Sequence, residues 1–565
     1  MPQSNDYGPW NPGIQSQVPK DLAHLATIFR AENVSTTIAS ARELRGLTGC
    51  ALSELVVFRP QRLALHELLV RVTADFAVPA GNRVEDLGLN FREIARLLLA
   101  RYLGPEMDAI AGAYDRARQA VKDTIDDALR QLKRGWGPEQ IAQFERLAGA
   151  PGDGAPAAAY RALARIMSAL FATQGQAWGT NELIASMAAN LACNDFGSDC
   201  IGRAIAPLLE RAALEHGYKL LPKQEHPVVI NTKGPSASGK STLRPLLKKL
   251  AGDIGVQWSD FALISPDIWR KQLLDYASLG AAYKYAGAFT SDELQIVDQK
   301  LDRYMAGKHR RGEMSHLLID RFRFDSFAPD SAEAGSNLLT RFGESVYLFF
   351  MITPPEMLVE RAWTRGLEFG RYKAVDDTLA HAVEAYSGIP NVFFTWVRRG
   401  DKRIQFEFLD NTVQLGQLPR TVAFGDNETF NVLDVKSMLD MERYARIDVD
   451  AAAADCLYPD SAQLAADRNL DFLKHCVESF RWVNFADQGS GRVYLRIESG
   501  KPLVKDRAAF EQAVRVPDTL AAIRAVAPGA LTDQVPEAKQ AQYLRTPEGS
   551  GSLPTLGQWG PGGLA

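Results

Sequence analysis

Residues 226–242, HPVVINTKGPSASGKST, constrain this chain more than any other segment. An apolar run, Val228-Val229-Ile230, leads into Gly234-Pro235-Ser236-Ala237-Ser238-Gly239-Lys240-Ser241, which satisfies G-x-x-x-x-G-K-S/T at every fixed position. Residues 242–250 then read as an amphipathic helix with a basic end at Lys248 and Lys249. Strand, glycine-bounded loop and helix in that order make a phosphate cradle. Gly234 and Gly239 let the backbone curl so that successive N–H groups point at phosphate oxygens. The positive end of the helix adds to that field. Lys240 supplies a mobile charge for the outer phosphates, and the Ser241 hydroxyl is a hard oxygen ligand for Mg²⁺. The expected nucleotide-binding residues are Gly234, Pro235, Ser236, Ala237, Ser238, Gly239, Lys240, Ser241 and Thr242. The cofactors implied are ATP or GTP with Mg²⁺.

At 565 residues the chain is too long for one hydrophobic core, so several domains are expected. Its 64 basic and 68 acidic residues nearly cancel to a net −4, so no global charge argues for nucleic acid or membrane as a partner. No run approaches the ~18 consecutive apolar residues of a membrane span. The first residues lack the basic-then-apolar order of a cleavable signal. Five scattered cysteines suit reduced thiols in a cytosol. Cys193 and Cys200 are the one near pair, and no further ligands complete a zinc site there. A cytoplasmic location is the expectation, with secretion that needs no signal peptide as the alternative.

The pattern predicts an α/β P-loop kinase-like core, a parallel sheet with flanking helices. A large all-α domain precedes it and a small mixed region follows. Residues 1–19, rich in Pro, Gly, Asn and Gln, read as a flexible lead. Residues 20–222 are helical, with apolar residues three or four apart over 21–31, 36–44, 60–76, 90–103, 106–134, 138–148, 157–173, 181–193 and 201–216. A breaker at 149–156 splits these helices into two groups. From 223 to 445 strands and helices alternate, as a wound parallel sheet requires. Strands are expected at 261–265 (FALIS), 316–320 (HLLID), 345–353 (SVYLFFMIT), 403–409 and 421–424. Residues 446–545 read as a small α+β region, and 546–565 as a Gly/Pro/Ser tail with too little apolar content to fold alone.

In open α/β sheets, ligands gather at the carboxyl ends of strands. Asp267 lies two residues past Ser265, where a carboxylate can accept the proton of an attacking hydroxyl; capping its own helix is the competing role. Arg270, at i+3, shares its helical face and can hold an acceptor. Asp320 ends HLLID, where an acid orients Mg²⁺ or contacts the acceptor. Arg321 and Arg323 alternate with phenylalanines after it and suit either substrate contact or a salt-bridged strand extension. Arg361 and Arg365 are four apart on one helix face, and Arg371 and Lys373 follow two glycines that can act as a hinge. Such arginines suit a lid over a transferring phosphoryl group, or a solvated face paired with Glu360 and Glu368. Lys308-His309-Arg310-Arg311 reads as a solvated turn.

GPSASGKST, then SPDIWR, a helix-rich insertion (YKYAGAFTSDELQIVDQKL), LLID and an Arg-bearing helix together resemble the zeta-toxin family of P-loop kinases over residues 225–425. The resemblance implies ATP- or GTP-dependent phosphorylation of a sugar hydroxyl on a UDP-amino sugar, or of another acceptor such as a dinucleotide. It assigns Lys240 and Ser241 to phosphate and Mg²⁺, Asp267 to the catalytic base and Arg270 to a substrate contact. Arg361 and Arg371 correspond to lid arginines, with Arg365 competing for either role beside the nucleotide. An antitoxin or regulatory protein is the partner it implies. Two features depart from the family: Asp320-Arg-Phe-Arg stands where it has an acid followed by small residues, and short toxins lack the long helical N-terminal half. The second function class consistent with the sequence is a P-loop ATPase acting as a nucleotide-gated switch for a partner of that helical half.

Overall fold

The apolar run that opens the phosphate motif folds as the first strand of a mixed sheet. The computed structural model describes residues 7–132, 135–149, 154–320, 339–414, 416–532, 542–544 and 553–560. The described strands are β1 (Val228–Lys233), β2 (Phe261–Ile264), β3 (His316–Asp320), β4 (Ser345–Ile352), β5 (Arg403–Asp410), β6 (Arg420–Asp426), β7 (Thr429–Val432), β8 (Trp482–Ala486), β9 (Arg492–Glu498), β10 (Lys501–Val504) and β11 (Gln542–Tyr543). Their order is β2-β3-β1-β4-β5-β6-β7-β8-β9-β10, with β11 on β9. The pairings from β2 through β5 are all parallel, so five carboxyl ends share one edge. β4 shows why: seven of the eight residues of SVYLFFMI are buried, as a strand covered on both faces requires.

Packing divides the chain into two compact units. One comprises Met1–Gln17, Pro222–Ser265 and Met305–Ala565; the other comprises Val18–Leu221 and Pro266–Tyr304. These units cut across the segments drawn from the sequence. Residues 266–304 group with the helices, and residues 446–565 group with the sheet. β8 pairs in parallel with β7, Phe430 opposite Val483, so the C-terminal region extends the sheet and covers what would be an exposed edge.

In the sheet unit, the helix Val375–Val397 packs its Phe393 ring among the phenylalanines of the sheet. The Phe393 centroid lies 4.8 Å from that of Phe406, 5.2 Å from Phe408 and 5.9 Å from Phe350. The tail is a correction to the sequence reading. Over 553–560 it is packed rather than unfolded: Leu556 and Trp559 are buried, and Trp559 lies 4.9 Å from the Phe424 ring. Composition hid this because these few apolar groups need a sheet that is already formed to receive them. The lead is also held where it is described. Gly8 and Asn11 form a β-bridge, and the Ser16 hydroxyl donates to Asp376. The basic run 308–311 is likewise no free turn: residues 308–310 end the helix Ser291–Arg310, and Lys308 is buried. Cations at a helix C-terminus complement its dipole.

Glu407, fully buried in β5, fastens the tail. It accepts hydrogen bonds from Leu556 N (2.6 Å), Gly557 N (3.0 Å) and the Thr421 hydroxyl (2.7 Å). Burial raises its carboxyl to about 7 despite these donors. A folded pKa above the unfolded one gives a stabilisation that is complete below the unfolded value of about 4.3 and is lost as pH rises through about 7. Thermal unfolding between those two pH values is therefore expected to show a smaller acid-side gain in Glu407→Gln than in the parent chain. Equal slopes in the two proteins would contradict this.

The helical unit is centred on the helix Pro60–Asp75, buried from Leu63 through Ala74 on all sides. A helix covered all round must satisfy its polar side chains internally. It does so through a network that reaches the helices Ser291–Arg310 and Ser198–His216. Arg62 donates to both Glu293 oxygens (2.5 and 2.6 Å), and His66 Nε2 lies 2.6 Å from Glu293. Lys300 Nζ lies 3.1 Å from His66 Nδ1 and donates to the Ser198 hydroxyl (2.7 Å), which donates to Glu67 (2.6 Å). Trp269, fully buried, donates its indole N–H to the Thr73 hydroxyl at 3.1 Å, tying residues 266–304 to the same helix.

Candidate functional site

β1 runs between β3 and β4, so the loop that leaves it at Gly234 starts from the centre of the parallel edge. Three residues of the loop take positive φ: Gly234 at 154°, Ala237 at 66° and Gly239 at 93°. For Ala237, which has a Cβ, that conformation costs about 1 kcal/mol, a strain of the kind found at ligand-binding loops. The chain then winds through a 3₁₀ turn, Lys240–Leu243, into the α-helix Arg244–Asp253. Lys240 Nζ donates to the carbonyls of Gly234 and Pro235, each at 2.9 Å, and so lies over the loop. Thr242 donates its hydroxyl to the Gly239 carbonyl at 2.6 Å and fixes the turn.

Asp320 ends β3 opposite Thr232 of β1, and the Ser241 hydroxyl donates to Asp320 Oδ2 at 3.2 Å. The glycine-bounded loop and the acid of HLLID are thus together. A hydroxyl and a carboxylate this close form a set of hard oxygens suited to Mg²⁺, an ion that takes few protein ligands and fills its remaining positions with phosphate and water.

Two residues that the sequence reading missed hold the loop from the other side. The Ser238 carbonyl accepts from Asn411 Nδ2 (2.8 Å) and from the Thr353 hydroxyl (3.3 Å). Thr353 is set in turn by Tyr386, whose hydroxyl donates to the Thr353 carbonyl (2.6 Å) and accepts from its N–H (2.8 Å). The only signal in the sequence was position: Thr353 follows β4, and Asn411 follows β5. Arg361 belongs to this clamp. It donates to the carbonyls of Asn411 (2.8 Å) and Val413 (3.1 Å), so it braces the loop after β5. Burial holds its guanidinium below the ordinary value, and Asp410 opposes this. Asn411→Ala is expected to weaken nucleotide affinity about tenfold, the equivalent of one lost hydrogen bond to the loop. Titration with a fluorescent ATP analogue checks it, and an unchanged Kd would contradict it.

Arg365 lies one turn further along the helix Pro355–Phe369 and is half-buried. That helix ends at Gly370, φ 68°, and the chain folds back so that the Tyr372 ring packs on Gly366 and stands 5.8 Å from the Trp363 ring. Arg371, half-buried, and Lys373 follow this reversal, and Lys373 lies 3.7 Å from Asp377. Arg321 and Arg323 lie outside the described residues.

Asp267 and Arg270 belong to the helical unit. Asp267, half-exposed, sits in the 3₁₀ turn Pro266–Trp269, three residues beyond the end of β2. Arg270 Nε donates to Asp267 Oδ1 at 2.9 Å. Its far nitrogen donates to the Gly287 carbonyl (2.7 Å) and the Thr290 hydroxyl (2.8 Å). Arg270 thereby orients the Asp267 carboxylate against a fixed wall.

A strand, a glycine-bounded loop, a helix and a neighbouring strand that ends in an acid hydrogen-bonded to the loop serine lie at the parallel edge of a mixed α/β sheet. No family model and no curated protein matches the chain. Solved structures similar to it include one from the PezAT chromosomal toxin-antitoxin system of Streptococcus pneumoniae, at 17% identity over 37% of this chain and 76% of that one, with a TM-score of 0.25. Another is the AvrRxo1-ORF1:-ORF2 complex with ATP, at 15% identity over 56% of this chain and 80% of that one, with a TM-score of 0.28.

Proposed function

We propose that this chain is an ATP- or GTP-dependent phosphotransferase that moves the γ-phosphate to a hydroxyl of a small-molecule acceptor of the UDP-amino-sugar or nucleotide class. The observation that carries the reading is the Ser241–Asp320 hydrogen bond, which joins the phosphate loop to the acid of the adjacent strand. In this reading the backbone of residues 234–242 binds the phosphates, and Lys240 neutralises charge as it moves to the transferred group. Ser241 and Asp320 hold Mg²⁺, which screens the phosphate charge when bound. Asp267 accepts the proton of the attacking hydroxyl, and Arg270 holds its carboxylate in place through the Nε–Oδ1 hydrogen bond. Arg365, Arg371 and Arg323 contribute positive charge around nucleotide and acceptor, and Arg361 acts through the Asn411 clamp.

Steady-state ADP release against a panel of hydroxyl acceptors tests the reading. Asp267→Asn is expected to retain nucleotide binding and to lose acceptor-dependent turnover by a factor on the order of 10²–10⁴. Lys240→Ala is expected to lose both. Turnover indifferent to every acceptor and to Asp267→Asn would overturn the assignment of Asp267.

A further inference from the structure

Within the helical unit, a cavity of about 560 Å³ opens between the helix Asp86–Leu98 and residues 271–276. Its lining joins Arg92 and Arg96 on one wall to Lys271 and Tyr276 on the other, with Leu89 and Leu274 beside them. The walls are tied together: Gln272 donates to the Arg92 carbonyl at 3.4 Å, and Ile268 packs on Gly88. Arg92 and Arg96 are four apart, so both guanidiniums project from one face of their helix. Neither forms a hydrogen bond or ion pair with a described residue. Burial, and then the like charge of Arg96, hold Arg92 below the ordinary arginine value.

Two guanidiniums four apart on one helix face, one of them half-buried, repel each other modestly, and an anion held between them relieves that repulsion. The carboxylates nearby do not serve. The Asp275 carboxylate accepts from the Ala277 N–H (3.0 Å) as the cap of the next turn, and Glu93 makes no ion pair with either arginine. Lys271 lies over the Tyr276 ring, 5.7 Å from its centroid, adding a third cation beside an aromatic wall. Forked guanidiniums match the paired oxygens of a phosphate, and a cavity of this volume holds a small organic molecule.

We propose that this cavity binds a phosphate-bearing small molecule, its phosphate between Arg92, Arg96 and Lys271 and its organic part against Tyr276 and Leu89. The inference does not depend on the phosphotransferase reading. It gives the helical unit a ligand of its own.

The test is calorimetric titration of the full chain with inorganic pyrophosphate in Mg²⁺-free buffer, in a Lys240→Ala background that removes the phosphate loop's contribution. One binding site is expected to remain, weakened at least tenfold by Arg92→Gln/Arg96→Gln and several-fold by Lys271→Gln. It should be unchanged by Arg116→Gln, a loss of charge outside the cavity. A parallel titration with a nucleoside monophosphate separates the two sources of phosphate. A nucleotide ligand loses affinity in Tyr276→Ala, whereas bare phosphate does not, and both keep the arginine dependence. Binding that survives Arg92→Gln/Arg96→Gln in a protein of unchanged circular dichroism, or that falls equally with Arg116→Gln, would overturn the proposal.

Discussion

Gly239→Ala is expected to weaken nucleotide binding about 100-fold while leaving the fold intact. A Cβ there would stand 2.3 Å from Asn411 Nδ2, in a backbone conformation of φ +93° that L side chains rarely adopt. The Asn411 amide cannot simply turn away, because it holds the Ser238 carbonyl and Arg361 pins the backbone of Asn411 itself. The loop must therefore shift, and with it the backbone N–H groups proposed to hold the phosphates. A loss of roughly 100-fold in affinity corresponds to about 2.7 kcal/mol, within reach of a backbone penalty plus one displaced hydrogen bond. Combining the change with Asn411→Ala removes the clash but not the backbone penalty, so the double variant should bind better than Gly239→Ala alone. Titration with a fluorescent ATP analogue measures all three. Wild-type affinity in Gly239→Ala would show that the loop does not rely on this clamp.

Glu293→Ala is expected to be the most destabilising single change in the helical unit. It strips the partner from Arg62 and His66, both tied to a carboxylate with no solvent exposure. Removing one member of a buried charge pair costs about 3–5 kcal/mol, because the remaining charge is left unpaired in a poor solvent. Urea unfolding followed by far-ultraviolet circular dichroism should show the midpoint fall accordingly, and a loss below 1 kcal/mol would contradict it. The same network sets a pH response. Burial, followed by the Lys300 charge, lowers His66 from 6.5 to about 4. Neutral His66 donates from Nε2 to Glu293 and accepts from Lys300 at Nδ1. As pH falls from 6.5 to about 4 the unfolded chain takes up a proton that the folded one refuses, so stability is lost over that window. The loss is on the order of 3 kcal/mol. Burial opposes ionisation of Glu293, but Arg62 holds its carboxyl well below the usual range, which adds to the acid sensitivity. Glu407 acts in the opposite sense in the sheet unit, gaining stability as pH falls below about 7.

What the sequence made legible was local. Gly234, Gly239, Lys240 and Ser241 lie within one loop, and their geometry follows from the residue types at those spacings. β4 was equally plain, because seven consecutive residues, Val346 to Ile352, carry the burial signal of a covered parallel strand. Features that depend on distant partners were not visible. Asn411 meets Ser238 across 173 positions, and His66 meets Glu293 across 227. No pattern marks such pairs, since each residue taken alone is an ordinary polar side chain. The tail was misread for the same reason: Leu556 and Trp559 are too few to fold alone and enough to dock on a sheet whose Glu407 receives the N–H groups of Leu556 and Gly557. Arg361 and Arg365 share a helix face, as their spacing required, but what Arg361 reaches from that face was set by the loop after β5.

The most direct measurement follows the γ-phosphate itself. Phosphorus NMR of ATP incubated with the full chain, Mg²⁺ and a mixture of UDP-amino sugars, dinucleotides and nucleosides distinguishes the fates of that group. A new phosphomonoester resonance, growing with ADP and missing in Asp267→Asn, is the predicted result. Inorganic phosphate as the sole product, formed equally well by Asp267→Asn and lost in Lys240→Ala, would contradict the phosphotransferase and leave a nucleotide hydrolase.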